Sequence, residues 1–166
     1  GLLARAMSGY SWYASKGPAD RAYAAQSAVS ILASAIIGAL YAEALGQLPA
    51  TLEARHFETT PTHTLGISIN IGLCVYEIVL YVAHGKPVQF WAHHVLSLCA
   101  LGSGVVTGHM CQLLAWEGLV ELTNIPLCTV TLMQNVPRLK ASGAYVVAGA
   151  SLWLAFLALR VVSLGW

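Results

Sequence analysis

The sequence predicts an all-α, polytopic transmembrane helical bundle of about five spans with an N-terminal interfacial segment. Three observations carry that expectation. Only 9% of the 166 residues are charged, against about 25% in an ordinary soluble domain. Hydrophobic residues make up 57% of the chain, and its mean hydropathy is +0.68. The apolar residues also fall in runs of about 20, the length that crosses a bilayer at 1.5 Å rise per residue. The eight Lys and Arg residues are scattered and the net charge is +1, so the clustered basic face of a nucleic-acid partner is missing. Collagen, disordered chain and small disulfide scaffold fail on composition as well.

Residues 1–23 mix Arg5, Lys16 and Arg21 with Leu2, Leu3, Tyr10, Trp12 and Tyr13. Aromatic and basic residues together read as an interfacial anchor. The chain starts at Gly1 without an initiator Met. The same stretch therefore also reads as the remnant of an organelle-targeting region, and no secretory signal is visible. Residues 24–166 form the predicted transmembrane domain. Its first span is Ala24–Gly46, after which Leu48-Pro49 opens a polar loop with Glu53, Arg55, His56 and Glu58. The second span, His63–His84, ends at the tight turn Gly85-Lys86-Pro87. The third, Trp91–Thr107, is separated from the fourth, Cys111–Gln134, by a turn at Thr107-Gly108-His109. Asn135-Val136-Pro137-Arg138 stops the fourth, and Gly143–Trp166 is the fifth.

Orientation follows from counting Lys and Arg in the loops. With five spans, Arg5, Lys16, Arg21, Lys86, Arg138 and Lys140 fall on one side, leaving Arg55 opposite and Arg160 inside the last span. The N-terminus is therefore expected on the cytosolic face, or on the matrix or stromal face of an organelle. Cys74, Cys99, Cys111 and Cys128 lie in or at the ends of spans and form no CxxC pair. They read as small buried hydrophobes rather than zinc ligands or disulfides.

Residues that should not sit in lipid are the informative ones. On the second span, His63, Asn70, Cys74, Glu77, Tyr81 and His84 are spaced 7, 4, 3, 4 and 3. At about 100° per residue they share a wedge of roughly 80°. On the fourth, Glu117, Glu121, Asn124, Cys128, Thr131 and Asn135 are spaced 4, 3, 4, 3 and 4. A carboxylate at mid-bilayer costs about 2.5–3.5 kcal/mol or more, so Glu77, Glu117 and Glu121 should face each other, a cation or a wet cavity. The plain alternative is interhelical glue, at about 0.6 kcal/mol per hydrogen bond. Counting depth at 1.5 Å per residue puts Glu117 about 9 Å inside the membrane, level with Arg160. These two are expected to form a structural ion pair. Glu121 lies a turn deeper without a cation, which makes it the better candidate for proton chemistry or ligand contact.

The third span opens on Trp91-Ala92-His93-His94. Adjacent histidines point about 100° apart on a helix and cannot present both rings to one metal as HxxxH can, so no metal site is expected. Ser97, Ala100 and Gly104 continue the His93 face as a groove of small residues, with room for close helix packing or an acyl chain. No Walker, dinucleotide or GxSxG motif appears. Gly102-Ser103-Gly104 reads as packing.

The His93-His94 pair opening a span, followed one span later by Glu121-Leu-Thr-Asn-Ile-Pro-Leu127, resembles the TLC domain. That domain is shared by ceramide synthases, translocating-chain-associated proteins and membrane-lipid regulators. Tyr76-Glu77 and Phe156-Leu-Ala-Leu-Arg160 are similar too, and the resemblance runs from about Ser27 to Trp166. In the synthase branch, a His pair and a downstream pair of Asp residues are associated with acyl transfer from acyl-CoA. The matching positions here are His93, His94, Glu121 and Asn124. Asn at the second acidic position cannot take up a proton, and the chain stops after five spans where fuller members continue. The resemblance therefore implies a non-synthase member.

The leading expectation is a protein that binds or handles a membrane lipid in an intramembrane cavity without a cofactor. The cavity residues would be His93, His94, Ser97, Asn70, Glu77, Glu121 and Asn124, with the chain along the Gly and Ala groove. The first alternative is a non-catalytic accessory subunit of a large respiratory or photosynthetic complex, whose histidines are inert or ligate a pigment. The second is an acyl-CoA-dependent acyltransferase, with His93 or His94 as base or acyl acceptor and Glu121 orienting it.

Overall fold

A computed structural model of the chain describes residues 11, 13–47, 51–108 and 111–162. Residues 1–10 and 12 of the predicted N-terminal anchor, the Leu48-Pro49 break, His109 of the predicted turn and residues 163–166 lie outside the described residues.

Helix α1, Pro18–Gly46, starts earlier than the apolar run because Pro18 sits in its first turn, where a missing N–H costs nothing. The short α2, Leu52–Phe57, is capped by Thr51, whose Oγ1 accepts from the Ala54 N–H at 3.3 Å. Helix α3, Pro61–Ala83, begins the same way, with Thr60 Oγ1 accepting from the His63 N–H at 3.1 Å. It ends in a Schellman turn. Gly85 takes φ 64°, its N–H donates to Val82, and the Lys86 N–H donates to Tyr81 at 2.9 Å. Helix α4, Val88–Thr107, stops at Gly108 (φ 66°), whose N–H donates to Gly104 at 2.9 Å. Both predicted glycine turns therefore form.

The predicted fourth span is not one helix. It consists of α5 (Cys111–Val120), a 3₁₀ turn (Glu121–Thr123) and α6 (Asn124–Gln134). Pro126 supplies the cause: it has no N–H for the Leu122 carbonyl, and its ring crowds that carbonyl, so the preceding turn tightens. After the short α7, Pro137–Lys140, comes α8, Gly143–Phe156, which passes into a π-helical turn at Leu157–Val162. Among the described residues there is no strand. Among the described residues four helices are long and apolar enough to cross a membrane: Pro18–Gly46, Pro61–Ala83, Val88–Thr107 and Gly143–Val161. Of the about five expected spans, these account for four, and the expected fourth, Cys111–Gln134, is broken into shorter helices.

Helix α1 is central, packing on α3, α5 and α6, while α4 leans on α3 and α8 on α6. The core gathers Ile37 and Tyr41 of α1, Ile67, Leu73 and Cys74 of α3, Leu101 of α4, and Leu114 and Ala115 of α5. Helices α4 and α8 turn apolar side chains outward, with Leu96 71% and Trp153 79% exposed, as lipid-facing helices would. The Tyr41 ring is fully buried because glycine lets α5 approach: a Cβ on Gly118 would lie 2.0 Å from that ring. Gly118→Ala should therefore destabilise by about 1–3 kcal/mol through overpacking. Gly38→Ala meets only the flexible end of Leu122 and should cost less. Thermal unfolding in one detergent checks both; equal costs would contradict this account.

Candidate functional site

The polar stripe of α3 faces inward, with His63, Asn70, Cys74 and Glu77 buried, Tyr81 half-buried and only His84 exposed. Glu77 is its centre. Oε1 accepts from Gln26 Nε2 at 2.6 Å and from Ser30 Oγ at 2.5 Å, and Gln26 also donates to Ser30 at 2.9 Å. Oε2 lies 3.2 Å from His94 Nε2. One carboxylate thus ties α1, α3 and α4 together, with three donors around it.

The sequence reading expected the acids of the second and fourth spans to face each other, a cation or a wet cavity. Glu77 finds its main partners on α1, which carries a polar row of its own: Gln26, Ser27, Ser30 and Ser34, all buried. Gln26, Ser30 and Ser34 recur at i, i+4 and i+8, the signal that would have revealed it. Serine escapes notice because in a lipid span it reads as a small packing residue. Glu121 is held locally, accepting from Asn124 Nδ2 at 2.6 Å. The two positions matching the family's acidic pair therefore bond each other, and the acid beside the histidine is Glu77.

The expected Glu117–Arg160 ion pair does not form. Arg160 Nη2 donates to Thr123 Oγ1 at 3.3 Å, and the guanidinium lies 5.2 Å from the Phe156 ring. Among the described residues the ion pair formed is His94–Glu77. The 3₁₀ turn before Asn124 and the π turn that carries Arg160 both break the ideal helical register used to estimate depth.

These residues border a cavity of about 1020 Å³. Its outer end is marked by Lys16, Asp20, Lys86, Gln89 and Asn135, and it reaches inward to Thr123, Asn124 and Arg160. Helices α1, α3 and α4 give it polar lining (Gln26, Ser27, Ser30, Glu77 and His94), α6 gives both polar and apolar residues (Asn124, Cys128 and Thr131 beside Leu127 and Leu132), and α8 gives the apolar Leu152, Trp153 and Phe156. Of the expected cavity residues, His93, His94, Glu77 and Asn124 line it, while Asn70, Ser97 and Glu121 are not among its lining residues. The His93 and His94 rings lie 5.0 Å apart, and Tyr81 stands 5.8 Å from His94. Near the outer end, Lys86 Nζ sits 3.9 Å over the Tyr23 ring. Among the described residues no three His, Cys, Asp or Glu side chains converge in a way that could hold a metal.

A family model described as the TLC domain matches residues 23–166. The chain belongs to the TLC-domain family. With its long apolar helices, this TLC domain is a multi-pass membrane protein. No curated relative and no solved structure matches it. The match takes in α1 from Tyr23 onward, so the Gln26–Ser30–Glu77 cluster is part of the TLC domain itself.

Proposed function

We propose that this TLC domain binds a membrane lipid in the cavity between α1, α3, α4, α6 and α8. The observation that carries the reading is the mixed lining of one cavity. Polar groups from Gln26 to His94 and apolar side chains from Leu127 to Phe156 border the same space, which suits a molecule with a polar end and a hydrocarbon chain. The chain would follow Leu132, Leu152, Trp153 and Phe156. The Ser97–Gly104 groove of α4 is not part of this cavity and is not proposed again. The outer end, with Lys16 and Lys86, is placed on the cytosolic, matrix or stromal side by the excess of basic residues in those loops. Gentle purification followed by native mass spectrometry tests the reading. A retained lipid of discrete mass is expected. A bare chain would reject it, and a stoichiometric partner subunit in place of lipid would favour the accessory-subunit reading.

One observation favours acyl transfer as a second reading. Glu77 orients His94 at 3.2 Å on the cavity wall, the carboxylate–imidazole arrangement that general-base or nucleophilic chemistry uses. Incubating the purified protein with labelled acyl-CoA and membrane lipid should then yield acylated product that disappears in His94→Ala. Equal background in both proteins would remove this reading and leave lipid binding untouched.

A further inference from the structure

Resting on the lipid-binding reading, we infer that the bound lipid carries an anionic group, a carboxylate or a phosphate, and that Arg160 receives it. Glu77 has Gln26, Ser30 and His94 as donors, and Glu121 has Asn124. These two intramembrane acids are thus served from within the protein. Among the described residues Arg160 is not. Its hydrogen bond there, to Thr123, is 3.3 Å long, against about 2.7–2.9 Å for a charge-assisted bond. Its Nε is buried without a partner, although a guanidinium has five N–H donors to place.

An intramembrane arginine normally pairs with an opposite charge or with carbonyls. Among the described residues Arg160 makes no ion pair with a carboxylate. The π-helical turn Leu157–Val162 surrounds this residue; such turns are frequent where a helix presents a functional side chain. A planar guanidinium with an open edge is the group best shaped for bidentate contact with carboxylate or phosphate. The apolar wall of Leu127, Leu132, Leu152, Trp153 and Phe156 beside it selects an amphiphile over a free ion. The ligand's anionic group would therefore sit at the inner end of the cavity. Lys16 and Lys86 supply positive charge at the outer end, where an anionic lipid would be drawn in.

The test uses the full chain, stripped of lipid in a neutral detergent. Phosphatidylglycerol, oleate and phosphatidylcholine are offered in separate titrations, and native mass spectrometry reads the bound fraction. Phosphatidylglycerol and oleate should bind at least about tenfold more tightly than phosphatidylcholine. Arg160→Gln should erase that preference, while Arg160→Lys, keeping charge but losing the fork, should fall between. Inorganic phosphate should not displace phosphatidylglycerol; displacement would overturn the amphiphile. Equal binding of all three lipids by the unsubstituted protein would overturn the anion and leave lipid binding standing. Retention of none would sink both. An unchanged preference in Arg160→Gln would overturn Arg160 as the receiver; if that variant fails to fold, Arg160→Lys decides, since an unchanged preference there would overturn the role of the guanidinium fork.

Discussion

Glu77→Ala should destabilise the protein by about 3–5 kcal/mol, the cost of leaving several buried donors without their acceptor, at about 1–3 kcal/mol each. Ordinary interhelical hydrogen bonds in membranes average about 0.6 kcal/mol, so three independent ones would amount to only about 2. The larger figure is expected because the carboxylate's removal strands Gln26, Ser30 and His94 at once, on two helices. Glu77→Gln should cost less. Its amide oxygen can still accept from Gln26 and Ser30, but its NH₂ then meets His94 as a donor. Glu117→Ala is the control: half-buried and outside any ion pair of the described residues, it should cost under about 1 kcal/mol. Denaturation in a fixed detergent, with His94→Ala completing a double-mutant cycle, measures all of these. A Glu77→Ala loss no larger than that of Glu117→Ala would show the cluster to be ordinary helix glue.

Sequence alone made the class and the inward face of α3 legible, and for the same physical reason. Asn70 and Glu77 have no tolerable place in lipid, so their helical spacing leaves a single direction to point. Partner choice was less legible. Ser30 and Ser34 carry too little polarity to stand out in an apolar run, yet Ser30 is one of the groups that holds Glu77. Depth reckoning failed for Arg160 because it assumed 1.5 Å and 100° per residue throughout. A 3₁₀ turn advances about 120° and 2.0 Å per residue, and the π turn at Leu157–Val162 shifts the register again. Pro126 was in view inside the Glu121–Leu127 motif. Its effect on the carbonyl four residues back turned the predicted continuous span into α5 and α6. The sequence set the histidine pair beside Glu121, whereas the carboxylate within reach of His94 is Glu77, from the neighbouring α3.

Thr131→Trp should reduce retained lipid to below about a tenth of the unsubstituted level while leaving stability within about 1 kcal/mol. Thr131 lines the cavity on α6 and is only partly buried. Its hydroxyl donates to the Leu127 carbonyl of its own helix at 2.9 Å, so losing it strands no group on another helix. An indole at this position projects into existing space, between the outer cluster of Asn135 and Lys86 and the inner Arg160, and competes with the ligand for the apolar wall. Thr131→Ala, which removes the hydroxyl without filling the space, should retain lipid normally. Glu77→Ala disturbs stability and cavity together, whereas Thr131→Trp acts on the cavity alone. If the two polar stripes served only to hold helices together, filling the space between them would leave co-purified lipid unchanged. A clean loss of lipid from a protein that unfolds at its usual temperature would mean that the space itself is what the polar rows are arranged to line.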